Sequence, residues 1–131
     1  MFHKNAKVLL FRVEKTKQKQ IIDLCRKLQI ESIIVPKRQY GESLGALAGI
    51  SGIPRKNTGY EGAELSKEML VFSGIASEEL DIFLEKYRVS GIEPVDLKAV
   101  VTPNNVFWNV PALYEELFKE HNSLKQSADN R

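Results

Sequence analysis

The sequence has one cysteine, two histidines and one tryptophan among its 131 residues. A single thiol, Cys25, excludes an internal disulfide. Its helical spacing with Ile21 and Leu28 marks a small core residue. The histidines are His3 and His121, and no Cys or His spacing suits a metal. No metal and no cofactor are therefore expected. His121 follows Leu117 by four positions and precedes Leu124 by three, which sets it on the core stripe of a helix. Glu78, Glu79, Asp81 and Glu85 fall on a helix surface, and no nucleophile–base pair can be named, so catalysis is not expected. No apolar run reaches the roughly 18 residues of a membrane span. The N-terminal run Val8–Phe11 is also too short for a signal-peptide core. The expectation is a soluble, cytoplasmic chain with no membrane role.

What is present is an ordinary globular mixture, 43% hydrophobic and 27% charged, at a length that suits one domain with a modest core. The net charge of +2 conceals an asymmetry: residues 1–40 carry 10 Lys or Arg against 3 Asp or Glu, and the remainder is net acidic. A basic first third could attract an anionic partner, or its field could be cancelled by packing against the acidic part.

Apolar, β-branched runs mark four strands, KVLLFRV, SIIVP, EMLVFSG and VDLKAVVTP. Between them, Ile21, Leu24, Cys25 and Leu28 share one helical face, and Leu80, Phe83, Leu84 and Tyr87 share another. Ser43 can cap a short helix, Ser77 with Glu78 and Glu79 opens a long one, and Gly91 ends it. Asn109 can cap the last helix, with Pro111 tolerated in its first turn.

The elements repeat as βαβα-βαβα. Val8–Phe11 answers to Met69–Phe72, the Ile21 face to the Leu80 face, Pro36 to Pro103, and Ala46-Leu47 to Ala112-Leu113. Strands that are apolar throughout need cover on both faces. The fold class is therefore α/β, a four-stranded sheet from two pseudo-repeated βαβα units with helices on both faces. The rival is a ferredoxin-like α+β sandwich. One domain is expected over residues 1–125, with pseudo-repeats at about 7–50 and 68–122. The Gly- and Pro-rich stretch at about 51–64 is expected to be a mobile loop, and 126–131 a disordered tail.

The second half resembles the bacterial domain-of-unknown-function family 3783. The residues that carry the likeness are Phe72, Gly74, Gly91, Ile92, Leu97–Val100, Thr102, Pro103, Asn105, Trp108, Glu120 and His121. It spans about Met69–His121, and Gly41–Ile50 looks like the upstream part of such proteins. The loop Arg55–Glu61 is longer than the family pattern. The resemblance implies a small bacterial α/β protein and no assigned activity.

Two groups of residues are candidates for function. In open α/β sheets ligands bind beyond the carboxyl ends of strands, where the loop after the fourth strand would lie in a parallel sheet. Lys98, Thr102, Asn104, Asn105 and Trp108 there would suit a small polar ligand or an anion. Folding alone also explains them, as a Pro-Asn-Asn turn beneath a tryptophan lid. Lys37, Arg38, Arg55 and Lys56 form the second group and could contact anions or nucleic acid. No nucleic-acid motif accompanies them, so a solvated surface is favoured. The stretch GALAGISGIPRKNTG lacks the spacing of a phosphate-binding loop. The reading is a non-catalytic binding or interaction module, with a second copy of the chain as a candidate partner. The alternatives are a small-molecule or anion site after the fourth strand, and a nucleic-acid accessory role for the basic N-terminal third.

Overall fold

The structure is a computed structural model that describes the backbone of residues 2–129 and the side chains of residues 2–121. Alternating side chains of β1 (Lys7–Phe11) and β3 (Met69–Ser73) are apolar in both directions, so each strand needs cover above and below. Val8, Leu10, Leu70 and Phe72 point one way and pack on Ile21, Leu24 and Cys25 of α1 (Lys15–Lys27) and on Phe83 and Tyr87 of α3 (Ser77–Val89). Leu9, Phe11, Met69 and Val71 point the other way. They pack on Leu44 and Leu47 of α2 (Leu44–Leu47) and on Val110 and Leu113 of α4 (Val110–Asp129). Both faces are covered, as the apolar strands require.

The sheet order is β2-β1-β3-β4, with β2 at Glu31–Val35 and β4 at Leu97–Val100. β1 runs parallel to β2, and β3 runs parallel to β4. The two parallel pairs meet through antiparallel β1 and β3. The sheet is thus mixed, and each half is a βαβα unit.

The halves correspond more closely than their residues suggest. Helices Lys15–Lys27 and Ser77–Val89 lie 62 positions apart and are both 13 residues long. The same offset relates two left-handed pairs, Arg12 with Gly74 and Gln29 with Gly91. It also relates Leu9 to Val71, which face each other across β1 and β3. That pair therefore lies on the internal twofold. Four extra residues precede β4, so that Glu31 answers to Leu97 and the offset becomes 66. Ser43 then answers to Asn109, and these two form an antiparallel bridge.

This register corrects three of the four sequence matches. Val8 corresponds to Leu70, one position on from Met69, and Pro36 corresponds to Thr102, one short of Pro103. The helix faces shift by three positions, so that Ile21 corresponds to Phe83 and Cys25 to Tyr87. A near-turn slip keeps the apolar stripe in phase, which hides it from periodicity. The match of Ala46-Leu47 with Ala112-Leu113 holds.

Ends of elements follow local chemistry. The Glu14 carboxylate accepts from the backbone N–H groups of Thr16 and Lys17 at the start of α1. Ser43 Oγ accepts from Ala46 N, and Asn109 Oδ1 from Ala112 N, as their positions before the helices imply. At α3 the capping residue is Ala76, one before Ser77, and its N–H donates to Glu79. Cys25 is fully buried in the α1 face, and burial pushes its thiol up to about 12. α4 continues past His121, which lies half-buried within it. The expected tail, 126–131, lies beyond the described side chains, and its last two residues lie outside the described backbone.

Candidate binding site

Antiparallel pairing brings the start of β1 beside the end of β3, with Lys7 opposite Ser73. Parallel pairing sets the end of β4 next to them. A cleft of about 530 Å³ opens there. Its floor is Lys7 and Ser73. Val101, Thr102 and Pro103 form one wall, and Ala48 to Ser51 another. This is the carboxyl edge of the β3–β4 pair, where an α/β sheet accepts ligands. The volume lies within the range of small-molecule sites.

The lining is mostly apolar with a few polar groups. Lys7 is half-buried, and its Nζ donates to the carbonyl of Ala48, the residue ending α2, at 2.5 Å. Ser73 is 5% exposed. Gly74 adopts a φ of +69°, and a Cβ there would meet the Asn5 carbonyl at 2.5 Å, so the backbone that lines the cleft admits only glycine. Among the described residues no acidic side chain lines this cleft.

The internal twofold supplies a control for this cleft. The equivalent positions at the other end of the strands carry bulkier or more apolar residues. Tyr40, 1% exposed, stands where the cleft has Val106. Tyr114 stands where it has Ala48, and donates to or accepts from Ser66 Oγ at 2.6 Å. Phe11 and Met69, both fully buried, stand where it has Ser73 and Lys7. At all four positions the cleft carries the smaller or more polar residue.

The sequence-selected residues after β4 separate. Thr102 lines the cleft. Asn105 is 8% exposed and fully engaged: its Oδ1 accepts from Thr102 N and its Nδ2 donates to Val100 O. It thereby fixes the turn. Asn104 is exposed. Trp108 is half-buried against the α2/α4 core, and its carbonyl accepts from Leu44 N. Lys98 lies against Leu84, Tyr87 and Pro94 on the α3 side, donates to Val95 O, and has its pKa lowered by burial. The structure does not bring Lys98 and Trp108 together.

Of the basic group, Lys37 and Arg38 follow β2 in a 3-10 turn, at the opposite end of the strands from the cleft. Arg55 and Lys56 border a shallow hollow of about 400 Å³ with the 74% exposed Phe107. Their loop has no helix or strand, yet it is anchored. Glu42, 3% exposed, accepts from Lys56 N at 2.7 Å and Asn57 N at 2.8 Å. The Lys56 N–H, the Asn57 N–H and nearby Arg55 hold its carboxyl below the usual range, against the pull of burial. Farther along, Tyr60 packs on Tyr40, whose hydroxyl donates to Glu64.

Sequence reasoning missed Lys7, Ser73, Gly49 and Val106 as site residues. One signal was present: Lys7 shares its parity with Leu9 and Phe11, so it points toward a core face.

The fold and cleft define a mixed-sheet α/β domain of two βαβα units with an open cleft at the carboxyl ends of β3 and β4. Residues 68–124 match the family described as "Domain of unknown function (DUF3783)". The match covers the second unit, β3 to α4, under half of the chain, and it bears out the resemblance carried by Phe72 to His121. No curated protein and no solved structure matches the chain. Among the described residues no helix is long and apolar enough to cross a membrane, and no three His, Cys, Asp or Glu side chains gather as a metal set.

Proposed function

We propose that the protein is a non-catalytic binding module whose cleft at the ends of β3 and β4 holds a small ligand. The observation that supports this reading is the broken internal symmetry. Tyrosines at positions 40 and 114 fill one end, whereas Val106 and Ala48 leave the other open. An unfilled apolar cavity forfeits packing contacts, so an occupant would restore what the substitutions give up. The loop after β4 contributes through Thr102, while Asn105 and Trp108 hold its shape.

The test is a titration of the isotopically labelled chain with a library of small organic fragments, followed by amide NMR. Shifts gathered at Lys7, Gly49, Ser73, Gly74 and Thr102 are expected. Shifts confined to Arg55, Lys56 and Phe107, or none at all, would overturn the reading. Retention on nucleic acid that falls steeply with salt would instead favour a role for Lys37, Arg38, Arg55 and Lys56.

A further inference from the structure

Resting on that reading, we infer that the cleft selects a small organic anion, an apolar body ending in one carboxylate, with Lys7 as the residue that sets the preference. Lys7 has three donor positions, and its side-chain acceptor among the described residues is the Ala48 carbonyl. It takes part in none of the salt bridges among those residues. Its charge is thus left without a carboxylate in a cleft that also lacks acidic side chains.

Position within the fold strengthens the case. Lys7 points to the same face as Leu9 and Phe11, both buried, and its counterpart in the second unit is Met69. A lysine on a core face is costly unless its ammonium finds partners. A half-buried ammonium attracts a counter-ion more strongly than one in open water does, because less solvent screens it. The Ser73 hydroxyl, the cross-strand neighbour of Lys7, can donate to the same oxygens. Beyond these, Ile50, Val101, Pro103 and Val106 suit a hydrocarbon body, and the remaining polar side chains of the lining, Asn5, Ser51 and Thr102, are uncharged. A cation would meet Lys7 with no compensating acid.

The experiment compares hexanoate with hexanamide and 1-hexanol, neutral molecules of similar length, on the full chain. Affinity is read from the amide shifts of Gly49, Ser73 and Gly74. Hexanoate should bind about tenfold more tightly than either neutral probe, since a charge-assisted hydrogen bond adds that order of affinity. Lys7→Met, which repeats the residue of the other unit, should remove the difference while neutral binding persists. Lys7→Arg should retain it. Equal affinity for the three probes on the unmodified protein would overturn the anion inference and leave the cleft reading standing. No shift at these amides with any probe would overturn both.

Discussion

Ser43 and Asn109 face each other as an antiparallel bridge, and each caps the helix that follows it. Leu44 N donates to the Trp108 carbonyl at 2.9 Å and Val110 N to the Tyr40 carbonyl at 3.2 Å, so each unit supplies an acceptor for the other's helix start. This seam, with the Leu9–Val71 pair, ties the two units together at their axis. Ser43→Ala and Asn109→Ala should each lower stability by about 1 kcal/mol through the lost cap. Urea unfolding measures this, and Asn109→Ser should recover most of the loss. An unchanged midpoint for both alanine variants would show that the caps do not contribute.

Glu42 predicts the behaviour of the loop at 51–64. Its folded pKa is depressed, so its contribution is complete above the ordinary glutamate value, about 4.3, and is lost as pH falls through the lower folded value. Protection of the Lys56 and Asn57 amides, read as exchange relative to an unfolded chain at the same pH, should therefore be full above about pH 4.3 and fall in stronger acid. Glu42→Gln should make exchange at both amides fast at neutral pH and open the loop to proteases. Equal protection in the variant would mean that Tyr60 and Glu64 hold the loop without Glu42.

Trp108 is a test of the structural lid. It is half-buried on the α2/α4 core, so Trp108→Ala should cost about 2 kcal/mol, less than a fully buried tryptophan. Trp108→Phe should keep most of the stability. Emission resembling that of tryptophan in water would contradict this packing.

Much of the fold was legible because it rests on short-range patterns. Continuous apolar strands announced a sheet covered on both sides, and Ser43, Asn109 and Gly91 marked helix ends where a side-chain oxygen or a left-handed residue is needed. The antiparallel join of β1 and β3 was not legible, because it depends on which strands meet after a long loop. The site was harder still. Lys98 and Trp108 lie close in sequence but on opposite faces of the sheet, so local clustering drew together residues that the pleat separates. Lys7 and Ser73 lie far apart in sequence and become neighbours only through that antiparallel pairing. Glu42 carries no sequence mark of burial, since its partners are backbone N–H groups of a glycine-rich stretch.

Cys25 should resist alkylation in the folded protein. With its thiol buried and pushed up to about 12, the thiolate is scarce near pH 8 and inaccessible. Labelling should track global unfolding as denaturant is added. Fast labelling of the native protein would show that α1 detaches from the sheet.

The most direct measurement is made on Val106→Tyr, which gives the open end the residue that Tyr40 supplies at the closed one. Thermal unfolding and hexanoate titration on this variant test whether the cleft is a site kept open at the expense of packing. The variant should be more stable by about 1 kcal/mol, as filled cavities commonly are, and should lose the hexanoate shifts at Gly49, Ser73 and Gly74. A variant that is less stable, or that still binds hexanoate with those shifts, would contradict the assignment of this cleft as the binding site.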